Sequence, residues 1–256
     1  MSTAAAGQPV TAGTPLNQSV ERAVRLLGFF TPERPDLSLG ELTAFLGASR
    51  STTHRYVLAL RRAGLLRHDP AAGVYTLGPK VVELAASALA GLRIIKVAGP
   101  HLERLVAHVN ETAVLSIWDG DAPVVVRVED NTDRIVRIVV RTGTRLPADS
   151  AQGKVHCAFN PEAGGSGMGP GELAEIRARR VAVNSRVVEG IRAIAAPVFQ
   201  DRQLAATMAL VGTAAAIPDD PASPLAAALL EAADVLSAEL GFLPADRKTE
   251  RKGRKR

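Results

Sequence analysis

Cysteine is almost missing from this chain of 256 residues: Cys157 is the only one. A single thiol excludes an internal disulfide framework and any cysteine-ligated zinc or iron–sulfur centre, and it fits a reducing compartment. No stretch of about 18 residues is uninterruptedly apolar, because charges, glycine or proline break every hydrophobic run, so no membrane-spanning helix is expected. The opening MSTAAAGQPVTAGTP has neither a basic nor an apolar region of the kind a secretory leader needs. Aromatic residues amount to 4%, with Trp118 the one tryptophan. These scarcities are those of a soluble, cytoplasmic protein. With 46% hydrophobic and 22% charged residues, wholesale disorder is excluded, and the length suits one large domain or two modest ones.

The charge is unevenly placed. The formal net charge is +5, and residues 246–256 (DRKTERKGRKR), with seven basic and two acidic groups, account for all of it. Residues 1–91 are mildly basic and 92–245 mildly acidic. A like-charged tail is ordinarily a solvated segment, so residues 244–256 are expected to form a basic tail outside the folded body. Residues 49–67 are more informative, with five arginines and no acid.

Residues 1–16, small and polar with two prolines, are predicted to be a disordered arm. A first helix is expected to start with Ser19 as N-cap, with Val20, Ala23, Val24 and Leu27 at helical spacing, and to end at Thr31-Pro32-Glu33-Arg34-Pro35. Ser38 and Glu41 form an S-x-x-E capping box, and Leu37 and Leu42 occupy the positions of a hydrophobic staple. That second helix ends at Gly47, and a third begins near Ser49 and runs to Gly64. Its Thr53, Tyr56, Val57 and Leu60 share one side, while Ser51, His54, Arg55, Leu58 and Arg62 share the other, flanked by Arg50 and Arg61. Two short helices around a tight turn, the second cationic on its outer face, have helix-turn-helix geometry. Leu65–His68 and Val74–Leu77 around Asp69–Gly73 read as a hairpin, the wing of a winged helix. A helix from Gly78-Pro79 to Leu89 follows, rich in Ala and Val all round, as in a helix that joins domains or packs on a partner chain.

The second half opens with a helical stretch over Leu92–Asn110, expected to be interrupted at Gly99-Pro100. Ala113–Trp118 and Pro123–Val128 read as a hairpin around an Asp119-Gly120 turn, and Arg134–Val140 alternates as a half-buried strand should. Ser150–Phe159 is helical, Asn160–Gly171 a flexible loop, and Glu172–Arg180 a short helix. Strands over Ile191–Phe199 and Leu204–Val211, separated by Asp201 and Arg202, precede a last helix over Pro224–Leu240. About five antiparallel strands with helices on one side make an α+β sandwich.

The segments SVERAVRLL, LSLGELTAFLGASRSTTHRYVLALRRAGLL and GVYTLGPKVVELA, in this order, resemble the IclR family of bacterial transcriptional regulators. RTGTRLPADSAQGK is similar to that family's small-residue segment leading into an A-x-G-K helix start, and GIRAIAAPVFQDRQLAATMALVG to its paired C-terminal strands. The likeness covers residues 18–159 and 189–242. Between Lys154 and Gly190 the chain departs from it, with a shorter, glycine-rich stretch where relatives form part of a pocket wall. The resemblance implies a winged helix-turn-helix DNA-binding domain at 17–78, a linker or dimerisation helix at 79–91 and a GAF-like effector-binding domain at 92–243. It also implies a homodimer or dimer of dimers that binds double-stranded operator DNA.

An α-helix fits the major groove, where arginine can give guanine two hydrogen bonds and serine or threonine can reach phosphates or base edges. The candidate DNA contacts are Ser49, Arg50, Ser51, Thr52, Thr53, His54 and Arg55 on the third helix, with Arg67 and His68 on the wing set against the backbone. For the effector, the start of the helix at Ser150, Ala151, Gln152 and Gly153 offers N–H groups and a positive dipole end suited to a carboxylate. The resemblance adds Ile138, Leu146, Ile191, Ala193, Ala209 and Val211. Some relatives place serines at the last two positions, so an apolar pocket is expected here, suited to an aromatic or longer aliphatic acid.

Other features carry less. His156 and Cys157 are adjacent on a helix, about 100° apart, and cannot face each other as base and nucleophile. His101 and His108 lack partners at metal spacing and read as solvated or capping groups, and Trp118 reads as packing. No catalytic residues, metal or cofactor are expected. The reading is a DNA-binding transcriptional regulator answering to a small organic effector. An enzyme acting on a small acid with an accessory winged helix, or an effector-independent DNA-binding protein, stands as the alternative.

Overall fold

The computed structural model describes residues 17–131, 138–160, 167–184 and 189–242. The chain divides between Ala85 and Ala86 into two compact units.

The first unit begins with α1 (Gln18–Leu27), whose N-cap is Asn17 rather than Ser19: the Asn17 side chain accepts from the Ser19 N–H. Next come β1 (Asp36–Ser38) and α2 (Leu39–Leu46). The capping box forms as expected. Glu41 N–H donates to Ser38 Oγ (3.2 Å), and Ser38 N–H donates back to Glu41 Oε2 (2.8 Å). The bonds from Ser38 hold the Glu41 carboxyl below its usual pKa, with Arg34 assisting. Gly47 closes α2 in the left-handed region (φ 65°), a conformation that costs glycine little and turns the chain directly into α3 (Arg50–Arg62). The wing strands β2 (Leu66–Asp69) and β3 (Val74–Leu77) are present, and β1 adds to them a short third strand absent from the sequence reading. Leu26, Leu37, Leu42, Leu46, Val57, Leu60, Leu66 and Tyr75 converge as the core of this unit.

Between the units runs α4 (Pro79–Gly91), which buries no residue; Val82, Leu84 and Leu89 are exposed. The second unit begins with α5 (Arg93–Val109), which continues through Pro100 instead of breaking there. Proline removes one ladder bond, but the apolar stripe of Ile94, Ala98, Leu102 and Leu105 is buried and anchors both halves of the helix. Then follow β4 (Thr112–Trp118), β5 (Pro123–Glu129), α6 (Ala151–Phe159), α7 (Pro170–Arg179), β6 (Ala182–Asn184), β7 (Ile191–Gln200), β8 (Gln203–Thr213) and α8 (Pro224–Glu239).

The strands pair antiparallel in the order β5-β4-β8-β7-β6. Trp118 pairs with Pro123, so the β4–β5 connection is a four-residue loop rather than a two-residue Asp-Gly turn. The Asp119 carboxylate closes it by accepting from the Asp121 and Ala122 N–H groups, and Arg145 bridges Asp119 and Asp121. Helices cover both faces of the sheet, not one. Ile194, Ala196, Val198, Met208 and Leu210 pack with α5 and α8. The alternate residues Ala195 and Ala209 pack with Ala151, Val155 and Ala158 of α6 and Ile176 of α7. The period of two along β7 and β8 makes both faces apolar, and each takes its own helical layer. Of the predicted strand Arg134–Val140, residues 134–137 lie outside the described residues and Ile138–Val140 are not in a strand. The expected arm, much of the 160–171 loop and all but the start of the region after Phe242 also lie outside them.

Candidate functional site

On α3, the buried face and the outer face separate cleanly. Thr53, Val57 and Leu60 are buried, whereas Arg50, Ser51, His54, Arg55, Arg61 and Arg62 are exposed. Thirteen residues span about 20 Å, the scale of a helix that can lie in a groove. Ser49 caps the helix, its Oγ accepting from the Thr52 N–H (3.2 Å) and lying 3.0 Å from Ser51 Oγ. Thr53 is set apart from the other candidates. It is fully buried and its hydroxyl donates to the Ser49 carbonyl (3.1 Å), so it is a core residue of the helix and not a DNA contact. On the wing, Arg67 is exposed, while the half-buried His68 ring lies against Tyr75 at 4.6 Å between centroids.

In the second unit the candidate effector residues fall into two groups. Ala193 and Val211 are cross-strand partners, and with Ala209 and Ile191 they lie on the sheet face that carries α6. Ala151 packs in the same cluster as Ala193 and Ala209. Ser150 caps α6, its Oγ accepting from the Gly153 N–H (3.1 Å). The Gly153 N–H is therefore spent within the helix, and the first-turn donors without an intrahelical acceptor are those of Ala151 and Gln152. Gly153 has another role: a Cβ there would stand 2.4 Å from the Ala148 carbonyl oxygen and 2.6 Å from that of Pro147, so only glycine lets the preceding loop close over the helix. Leu146 is held elsewhere, its N–H donating to the Pro123 carbonyl at the start of β5. Ile138 is half-buried, and none of the hydrogen bonds or packing clusters described above ties it to Ala193, Ala209 or Val211. Cavities of about 720 Å³ beside the start of α5 and about 660 Å³ along α8 include none of these candidates.

What fills the space beneath α6 is a polar cluster that sequence reasoning passed over. Ser116 and Thr207 face each other across β4 and β8, their hydroxyls 2.8 Å apart, and Thr207 Oγ1 lies 3.4 Å from His156 Nε2. The His156 ring sits 5.2 Å from that of Trp118. Gln152, one turn before His156, places Nε2 3.5 Å from the carbonyls of Val114 and Thr207, the outer limit of a hydrogen bond. Burial pushes the His156 pKa down to about 4, against a smaller opposing effect of a Ser116 backbone bond, so the ring is neutral at pH 7. The signal was present in the alternation of β4, where Ser116 and Trp118 fall on one face, but only the fold brings Thr207 and His156 to that face. His101 likewise differs from the solvated role expected of it. It is buried, 2.8 Å from Glu239 Oε2, with Arg104 beside its other nitrogen. Among the described residues, no group of three or more His, Cys, Asp or Glu could hold a metal ion, and no helix is long and apolar enough to cross a membrane.

Comparison with known proteins gives the following. The IclR helix-turn-helix domain matches residues 19–70, and the bacterial transcriptional regulator IclR C-terminal domain matches residues 86–166. The chain is 28% identical to the HTH-type transcriptional regulator XynR of Escherichia coli over 89% of this chain and 99% of that one. It is 31% identical to the E. coli transcriptional repressor YiaJ, over 56% of this chain and about half (51%) of that protein's length. Among solved structures, Pseudomonas aeruginosa HmgR is 30% identical, with 88% of this chain and 98% of that chain covered and a TM-score of 0.55. An IclR homolog of Microbacterium hydrocarbonoxydans, complexed with 4-hydroxybenzoate, shares the fold at 23% identity, with 87% and 99% covered and a TM-score of 0.69.

Proposed function

This chain belongs to the IclR family of DNA-binding transcriptional regulators, which are not enzymes, and from that premise we propose how it reads DNA and what controls it. The N-terminal helices of α3 and the wing form the reading head: Arg50, Ser51, Thr52, His54 and Arg55 meet base edges, and Arg67 and His68 meet the phosphate backbone. The observation that carries this reading is the cationic outer face of α3, exposed along its length while its inner face is buried. Residues 17–78 are the DNA-binding domain, 79–91 a linker and dimerisation helix, and 92–243 the effector domain. The exposed Val82, Leu84 and Leu89 of α4 suit contact with a second copy, which gives a homodimer or a dimer of dimers.

The effector in this reading is a small organic acid. Its carboxylate lies at the start of α6, taking the N–H groups of Ala151 and Gln152 at the positive end of the helix, and its apolar body lies against Ala193, Ala209 and Val211. The Microbacterium homolog holds 4-hydroxybenzoate in the same fold, which makes an aromatic acid the first ligand to try. A regulator reading two half-sites needs its heads a fixed helical distance apart. An effector that binds one head spacing better than another shifts the population and so changes operator affinity. The test of the reading head is a gel shift on the cognate operator. Arg50→Ala and Arg55→Ala each weaken specific binding by about 1–3 kcal/mol, and unchanged shifts in both variants contradict the assignment.

A further inference from the structure

The cluster beneath α6 contains two polar atoms that are buried and have no hydrogen-bond partner: Trp118 Nε1, a donor, and His156 Nδ1. His156 is 1% exposed, and its other nitrogen already faces Thr207 Oγ1. With Nε2 donating to that hydroxyl, Nδ1 is left as a lone-pair acceptor. A native fold rarely leaves such a pair unmatched without a use for it.

We propose that Trp118 and His156 together recognise a hydroxyl group on the effector. The inference rests on the carboxylate reading of α6 above and deepens it, naming the ligand class as a hydroxylated carboxylic acid. A hydroxyl both accepts and donates, so it satisfies the indole N–H and the imidazole lone pair at once. A second carboxylate could serve the indole but would oppose the lone pair of the neutral ring, and an ammonium group could serve only the imidazole. The spacing agrees. His156 lies five residues beyond Ala151, about 7.5 Å along the helix axis, a distance that an aromatic ring carrying its two groups on opposite carbons can bridge. The intervening side chain is that of Gln152, held by two 3.5 Å contacts, and it is the group that gives way. The sheet opposite α6 is lined by Ala193, Ala195 and Ala209, whose small side chains leave the polar pair as the discriminating feature of the face.

Titration calorimetry of the full chain at pH 7.5 with 4-hydroxybenzoate, benzoate and 1,4-benzenedicarboxylate tests this. The expected result is that 4-hydroxybenzoate binds roughly ten-fold more tightly than benzoate, with 1,4-benzenedicarboxylate weakest, and that Trp118→Phe brings the first two to equal affinity. In the unsubstituted protein, emission from Trp118 shifts on adding 4-hydroxybenzoate and changes less with benzoate. Equal affinity of the unsubstituted protein for 4-hydroxybenzoate and benzoate overturns the hydroxyl reader and leaves the carboxylate site standing. Tightest binding of the dicarboxylate overturns it too, by showing two donors where one donor and one acceptor are claimed. No binding of any of the three acids overturns the aromatic-acid reading on which it rests.

Discussion

Acid weakens the second unit through His156. Its folded pKa is about 4, against 6.5 for an unperturbed histidine, because the ring is buried. Between those values the unfolded chain holds a proton that the folded chain excludes, so stability falls as pH drops below 6.5 and levels out below 4. At about 1.36 kcal/mol per unit, the full effect is on the order of 3 kcal/mol, of which about 2 kcal/mol is expressed between pH 7 and pH 5. Carboxylates with lowered values act elsewhere on the scale. Burial raises the Asp119 pKa, but the Ala122 and Asp121 N–H bonds and Arg145 outweigh it and leave a net lowering from 3.8. Its contribution is therefore lost only at lower pH, outside this window. The perturbation is His156→Gln, which keeps polar atoms but does not titrate, with His156→Leu as a second variant. The assay is urea unfolding at pH 7 and pH 5 followed by Trp118 emission, a signal from the ring beside His156. The unsubstituted protein should lose about 2 kcal/mol more than either variant on going to pH 5. Equal losses in all three refute the reasoning, because they mean that His156 takes up its proton equally in both states.

Ser38→Ala removes both halves of the capping box on α2 and should cost the first unit about 1 kcal/mol, read as a lower denaturation midpoint with an unchanged slope; an unchanged midpoint contradicts the role given to the cap. Gly153→Ala forces a Cβ within 2.4 Å of the Ala148 carbonyl oxygen and should cost about 1–3 kcal/mol as the loop before α6 is pushed away. An unshifted melting curve for that variant would falsify the close approach.

The local signals that were legible in the sequence are those that short stretches determine. The Ser38–Glu41 box, the Gly47 turn, the α3 face and the β7–β8 hairpin depend on residues within a few positions of one another, and each forms as read. Errors arose where a distant partner decided the outcome. Pro100 looks like a helix breaker until the burial of Ile94, Ala98, Leu102 and Leu105 along one side of α5 is counted. Thr53 looks like one more hydroxyl on a DNA-reading helix, yet its place beside Val57 and Leu60 turns it into the core. Helices on both faces of the sheet follow from apolar residues on both faces of β7 and β8, which resembles a continuous hydrophobic run in sequence. The Ser116–Trp118–His156–Thr207 cluster draws on two strands and a helix separated by up to 91 positions, so no local pattern announces it. The net charge of +5 points to nucleic acid for the wrong reason, since it resides in residues 246–256, whereas the arginines assigned to DNA are on α3 and the wing.

Footprinting of the full chain on the DNA upstream of its own gene, with and without a panel of carboxylic acids that includes 4-hydroxybenzoate, bears most directly on the claim of an effector-controlled, sequence-specific DNA reader. The account predicts a discrete protected stretch whose protection is strengthened or weakened by an aromatic hydroxy acid. A protected stretch that no acid in the panel alters contradicts effector control, and uniform protection along the fragment contradicts sequence-specific reading by α3.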